Sequence, residues 1–212
     1  MPAAAQEQVP IDKEKLSYAI GYQIGADFSA RELDIEIETV IRALRDALTE
    51  RDPAYPVEEM AAQLDVMQQQ FLEENLKKLK ELAAENQERS DKFLADNRAN
   101  PDVVVLPSGV QYRVMSEGSG QRPNLEDEVM VHYRGQRMDG FEFDSSFARG
   151  VPAAFKVNGV LRGWQEILPL MKVGAEWRVW IPPELAYGER GQRPIGPNEA
   201  LQFDIKLLEI KS

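Results

Sequence analysis

From about Pro56 to about Ala99 the sequence reads as one helix, and this constrains the chain more than any other feature. At about 1.5 Å per residue it runs on the order of 60 Å. Pro56 followed by Glu58 and Glu59 is a favourable helix start. The first half carries an apolar heptad stripe of Val57, Met60, Leu64, Met67 and Phe71, which slips by one and continues as Leu72, Leu76, Leu79 and Ala83. From Glu85 to Lys92 there is no apolar side chain. A helix polar all round is held by its own side-chain pairs or stands alone between domains. Glu73–Lys77, Glu74–Lys78, Glu85–Arg89 and Glu88–Lys92 are all spaced i,i+4 with Glu first, each contributing about 0.2–0.5 kcal/mol. We read this stretch as a spacer, straight but only marginally stable.

The two sides of the spacer differ in composition. Residues 1–100 hold 21 acids and 12 bases, residues 101–212 hold 15 and 13, and Asn100-Pro101 breaks the pattern between them. On the N-terminal side, Asp12 can cap a helix carrying Leu16, Ile20, Ile24 and Phe28. Ser17, Gly21 and Gly25 share a neighbouring face. Each glycine inside a helix costs roughly 1 kcal/mol relative to Ala, and close approach of another helix would explain them. A second helix carries Ile37, Val40, Ile41, Leu44 and Leu48, ending at Arg51-Asp52-Pro53. Two helices of this size cannot bury their stripes on each other alone. The simplest partner surface is a second copy, so a homodimer through the N-terminal helices is expected.

Composition narrows the function. A net charge of −11 argues against nucleic acid. No apolar run reaches membrane-span length. The absence of Cys excludes disulfides and thiol metal sites. The start, MPAAAQEQVP, reads as a frayed polar lead with neither the charged beginning nor the apolar core of a signal peptide. Ala3-Ala4-Ala5-Gln6 could be what remains after one was removed.

After Pro101 the hydrophobic period becomes two. Val103–Leu106 and Val110, Tyr112, Val114 flank a Pro107-Ser108-Gly109 turn. Val129, Val131 and Tyr133 share one strand face, and Phe141 and Phe143 one face of the next run, with Asp139-Gly140 as a hairpin signal between them. Trp164, Ile167 and Leu168 make a short helical pattern that Pro169 and Gly174 end. Trp177, Val179, Ile181 and then Leu201, Phe203, Ile205, Leu207 alternate again. The expected fold is α+β: an antiparallel half-barrel sheet with one covered face and one short helix plugging its mouth, preceded by a helical dimerisation unit and a long connecting helix. Three domains follow: 1–55, 56–100 and 101–212. His132, the only histidine, alternates to the opposite face from Tyr133 and is read as a sheet residue, so no Ser/His/Asp arrangement can form. No metal ligand set or cofactor loop is visible. Phe141 and Trp177 are read as core.

VHYRG at 131–135, FEFDSS at 141–146, GVLRGWQE at 159–166 and ELAYG at 184–188 come in the order and spacing of a known family, followed by the terminal strand LQFDIKLLEI. Over residues 103–212 the chain resembles the FKBP-type peptidyl-prolyl cis-trans isomerases. Through KLSYAIGYQIG and its layout, the N-terminal half is similar to the macrophage infectivity potentiator (Mip) and FklB/FkpA-like bacterial branch. The resemblance implies the same half-barrel and a pocket with Tyr133, Asp144, Trp164 and Tyr187 as catalytic groups. Phe143, Arg149, Phe155, Val160, Leu161, Ile195 and Phe203 would contact substrate or inhibitor. Trp164 would floor the pocket, Tyr187 would donate to a substrate carbonyl, and the Leu161 N–H would bind another. Ala153 stands where many single-domain members carry Phe, and the loop 188–196 is Arg-rich and lacks His.

The expected activity is rotation about X-Pro bonds in unfolded or partly folded proteins, with no cofactor and no metal. Tacrolimus and rapamycin, which the family binds, are expected inhibitors. The rival reading is a holdase-type chaperone with incidental isomerase activity; a dimeric adaptor would have lost Asp144, Trp164 or Tyr187. The expected location is periplasmic or secreted, with the cytoplasm as the alternative.

Overall fold

A computed structural model describes residues 10–211, so the polar lead and the Ala3–Gln6 remnant lie outside the described residues. The elements are α1 (Lys13–Ala30), α2 (Ile37–Leu48), α3 (Val57–Arg98), β1 (Val104–Val105), β2 (Gln111–Ser116), β3 (Glu128–Arg137), β4 (Glu142–Ser145), α4 (Ser146–Arg149), β5 (Ala153–Lys156), α5 (Arg162–Ile167), β6 (Glu176–Ile181) and β7 (Leu201–Lys211). The chain divides into two compact units between Met67 and Gln68, within α3. Among the described residues no helix is long and apolar enough to cross a membrane.

In the first unit Asp12 caps α1: its carboxylate accepts from the N–H groups of Glu14 (3.1 Å) and Lys15 (3.2 Å). Neither α1 nor α2 buries a residue. Of the stripes read from the sequence, Leu16, Ile20, Ile37, Ile41 and Leu44 remain between 42% and 53% exposed, Leu48 is 84% exposed, and Ile24, Phe28 and Val40 are only partly covered. A Cβ built on Gly21 or Gly25 would meet nothing within 4 Å. Nothing among the described residues therefore explains these glycines.

In the second unit the strands make one antiparallel sheet in the order β1-β2-β6-β7-β3-β4, with β5 also paired to β3. The period-two pattern sets the register. Tyr133 and Trp177 each sit opposite Ile205, and Val179 opposite Phe203, so the apolar sets of β3, β6 and β7 fall on one face. Trp164 and Ile167 of α5 pack onto that face with Val129, Val131 and Leu207 to form the core. Asp139-Gly140 does turn the chain between β3 and β4, with Gly140 N–H donating to the Arg137 carbonyl (3.0 Å) and Arg137 N–H to that of Phe141 (3.0 Å).

Three expectations change. A register shift between Gly135 and Gln136 interrupts the β3–β4 ladder. Phe141 therefore does not share the buried face of Phe143. It is 48% exposed, with the Arg137 guanidinium 5.0 Å above its ring. Trp177 is core as read, stacked on Tyr112 at 4.3 Å.

The sheet's second face is not left open. Gln111 is fully buried there, and its cross-strand neighbour Trp180 donates its indole N–H to Gln202 (2.9 Å). The Gln111 side chain accepts from Asn97 (2.8 Å) and donates to the Leu94 carbonyl (2.8 Å), which ties the end of α3 to β2.

The stretch Glu85–Lys92 likewise does not stand alone. Asn86 and Ser90 are buried in it, hydrogen-bonded to the segment 197–200. The docking face is polar and fully hydrogen-bonded, so it leaves no hydrophobic period to read. Of the expected ion pairs, Glu74–Lys78 closes at 2.8 Å, whereas Lys77 reaches Glu81 (3.9 Å) and Arg89 turns to the Asn86 side-chain oxygen.

Candidate active site

Tyr133 enters the site from the middle of β3, and its main chain is fixed by a residue the sequence reading passed over. Ser146 is fully buried. Its hydroxyl accepts the Tyr133 N–H (2.7 Å), lies 3.2 Å from the Tyr133 carbonyl, and is 3.0 Å from His132 Nδ1. His132 points to the opposite face, where it stacks on Phe147 at 4.8 Å. Next to Ser146, the Ser145 hydroxyl accepts the Ala148 N–H (3.2 Å) and so caps the single turn of α4, which ends on Arg149. The FDSS motif thus places Phe143 and Asp144 on β4, starts a turn, and returns Arg149 to Asp144. Both serines stand in that motif, but their partners are set only by the fold.

The three polar groups converge. Tyr133 donates its hydroxyl to Asp144 Oδ2 (2.5 Å), Arg149 pairs with Asp144 Oδ1, and Arg149 Nη2 donates to the Tyr133 oxygen (2.9 Å). Burial alone would raise the Asp144 carboxyl, but the hydrogen bonds from Tyr133 and Arg149 outweigh it and hold the group below its ordinary value. The Tyr133 phenol is pushed up, first by burial and then by its bond to Asp144. Tyr187 is half-buried against the core and is also raised, first by burial and then by the charge of Asp144. Among the described residues nothing accepts from its hydroxyl, and nothing accepts from the Leu161 N–H.

Around these lies a cluster of rings. Trp164, 4% exposed, is met nearly edge-on by Phe203 (5.3 Å, 88°), Tyr133 (5.5 Å, 83°) and Phe155 (6.0 Å, 84°). Phe143 stands against Phe203 at 5.8 Å and 87°. Such offset and edge-on pairs are the favourable geometry for aromatic rings. Gly135 of the VHYRG motif makes the last pair possible: a Cβ there would lie 2.7 Å from Phe143 and 2.8 Å from Phe203. Val160 and Leu161 pack against the cluster at the start of α5, and Ile195 closes it, 5% exposed. Phe143, Phe155, Val160, Leu161 and Tyr187 pack against the core that holds Tyr133, Trp164, Ile195 and Phe203, and Asp144 and Arg149 join it through Tyr133. The Trp164 indole N–H is buried with no partner among the described residues.

The fold and site together define a class: a half-barrel sheet in which rings meet edge-on around a buried Trp164, with a Tyr–Asp–Arg cluster beside them. The family model described as FKBP-type peptidyl-prolyl cis-trans isomerase matches residues 119–208. The model for the domain amino-terminal to such isomerases matches residues 13–114. The chain is 40% identical to the peptidyl-prolyl cis-trans isomerase Mip of Coxiella burnetii, over 99% of this chain and 91% of that one. It is 38% identical to the outer membrane protein MIP of Legionella longbeachae, over 100% and 91%. Among solved structures, FkpA of Escherichia coli superposes with a TM-score of 0.76 at 30% identity, covering 96% of this chain and 99% of that one. The chain belongs to the FKBP-type peptidyl-prolyl cis-trans isomerases, in the Mip- and FkpA-like branch, and it is an enzyme of that type.

Proposed function

We propose that the X-Pro bond rotates in the dish above Trp164. The observation that carries this reading is the convergence of edge-on rings on a buried Trp164 beside two hydrogen-bond donors, Tyr187 and the Leu161 N–H, that nothing among the described residues uses. Rotation meets a barrier of about 18–20 kcal/mol because amide resonance must be broken. The twisted amide is less charge-separated than either planar isomer, so a site poor in water favours it over the ground state. Trp164 floors the proline ring, and Phe143, Phe155, Val160, Ile195 and Phe203 wall it. Tyr187 stays protonated across the neutral range and donates to one substrate carbonyl; the Leu161 N–H takes another. Asp144 holds the Tyr133 hydroxyl, with Arg149 balancing its charge. Tacrolimus and rapamycin would occupy the same dish.

We also propose a homodimer through the N-terminal helices, with the chain working in three parts, 1–55, 56–100 and 101–212, as a folding assistant for proline-containing proteins. The support is the set of half-exposed apolar residues on α1 and α2 and the two glycines with empty space beside them. The same surface favours the second reading, a holdase whose isomerase activity is incidental. A periplasmic or secreted location fits the relative described as an outer membrane protein.

Three substitutions test the site in a protease-coupled assay on an X-Pro peptide. Tyr187→Phe removes one hydrogen bond and should slow the reaction by about 2- to 10-fold. Asp144→Ala should slow it at least as much, with the fold retained. Trp164→Ala should cost more, because it also removes buried area. Wild-type rates in all three would overturn the mechanism.

A further inference from the structure

The loop from Tyr187 to Ala200 carries two of the groups assigned above, Tyr187 at its start and Ile195 near its end. Its tip is closed by its own backbone. Gln192 and Ile195 exchange N–H···O bonds of 2.9 and 2.7 Å. Gly191, at φ +62°, lies so close to Gly196 that an added Cβ would come within 2.6 Å of that backbone.

The base of the loop is held from outside. Asn198, in the left-handed conformation that Asn tolerates, donates its N–H to the Gly188 carbonyl (2.9 Å) and so joins the loop's two ends. The remaining groups at the base go to α3. Asn86 Nδ2 donates to the Pro197 carbonyl (2.7 Å), the Ser90 hydroxyl to the Asn198 carbonyl (3.0 Å), and the Ala200 N–H to the Ser90 oxygen (2.8 Å). Arg89 donates to the Asn86 side-chain oxygen, leaving that amide's NH₂ facing the loop. Asn86 and Ser90 lie one turn apart on one helix face, and they are the residues of α3 that are buried. Asn and Ser are indifferent helix formers, so their place inside the C-terminal third of a long helix follows from the loop they hold.

We infer that Asn86 and Ser90 are positioning residues for the pocket. Through the base of the 188–200 loop, α3 sets where Ile195 stands against the bound prolyl chain, and so how tightly that chain is held. The inference rests on the pocket proposed above. A wall residue touches the substrate in the planar and twisted states alike, so loosening it raises KM and leaves kcat nearly unchanged. The bonds of Asn97 and the Leu94 carbonyl to Gln111 reach β2 and not the loop. They provide the control for mere loss of docking.

The test is saturation kinetics of the full chain on an X-Pro peptide, with backbone amide exchange as a second readout. The double variant Asn86→Ala, Ser90→Ala should raise KM roughly three- to tenfold with kcat little changed, and should speed exchange at Ala200. Asn97→Ala should lower the thermal midpoint and leave KM alone. Ser90→Thr, which keeps a hydroxyl, should hold KM nearer wild type than Ser90→Ala does. If the double variant fails to fold, Ser90→Ala alone carries the comparison. An unchanged KM in the folded variant, or an equal rise in Asn97→Ala, overturns the inference while an impaired Asp144→Ala leaves the pocket standing. Wild-type rates in Asp144→Ala and Tyr187→Phe remove the pocket and this inference with it.

Discussion

Asp144 and Asp204 are each held by two donors, and this fixes how the protein responds to acid. Asp204, on the face of the sheet away from the core, accepts from Arg178 (2.6 Å) and from Arg134 (2.6 Å). Burial would raise its carboxyl, but the two guanidinium bonds outweigh that and hold it low, as Tyr133 and Arg149 do for Asp144. Asp139 lies lower still, at about 2, chiefly through Arg137. Each group binds a proton less readily in the folded chain than in the unfolded one. Their stabilisation is complete above the ordinary carboxylate value of about 4 and is lost as pH falls through the lower folded values. Urea midpoints measured at a series of pH values should therefore drop steeply below about pH 4, and Asp204→Asn should flatten that slope; an unchanged slope would mean that Asp204 does not carry it. Activity should stay level from about pH 6 to 9, since both tyrosines are raised. Trp164, Tyr187 and Asp144 could be named from the sequence because four motifs stand in the order and spacing of the family. Ser146 was not, because a hydroxyl reveals its partner only when the fold supplies one.

At the level of elements, α3 is where sequence and structure part. Its apolar stripe could be counted along the chain, but its seat on the sheet could not. Hydrogen bonds from Asn86, Ser90 and Asn97 need single partners from distant residues, and such contacts leave no period. Phe141 misled for a related reason: a slip of one residue in a ladder reverses a face, and no local pattern announces it. The alternation in β6 and β7, by contrast, was read correctly because both strands bury one whole face. The seat has a measurable weight. Residues 103–212 contain the whole sheet and pocket and should fold alone as a monomer. A fragment 83–212 adds the helix that caps Pro197, Asn198, Ala200 and Gln111. At about 1 kcal/mol for each hydrogen bond regained, it should be more stable by roughly 2–4 kcal/mol in urea unfolding. Equal midpoints would mean that the seat contributes nothing.

For the whole molecule the open question is what covers α1 and α2. An apolar helix surface left half exposed needs a partner, and in the proposed dimer Gly21 would be where that partner comes close. Because a side chain there meets nothing within its own chain, Gly21→Leu should leave the monomer's fold intact. It should nevertheless shift the species from dimer towards monomer in light scattering. An unchanged dimer mass would remove Gly21 from the interface. If a dimer forms, one unfolded chain can be bound twice at high effective concentration. The fragment 103–212 should then lose far more activity on proline-limited refolding of a protein than on a peptide. Equal retention on both substrates would remove the dimer from catalysis, and suppression of aggregation by residues 1–100 alone would favour the holdase reading.

The place of β7 in the sheet bears on how the enzyme is made. Among the described strands it is the last in chain order, yet it lies between β6 and β3 and pairs with both along most of its length. At about 5–20 residues per second, the thirty or so residues from the end of β6 to the end of β7 take roughly two to six seconds to synthesise. Throughout that interval the edges of β3 and β6 that β7 joins have no neighbour. A prolyl isomerase thus begins as an unfinished sheet.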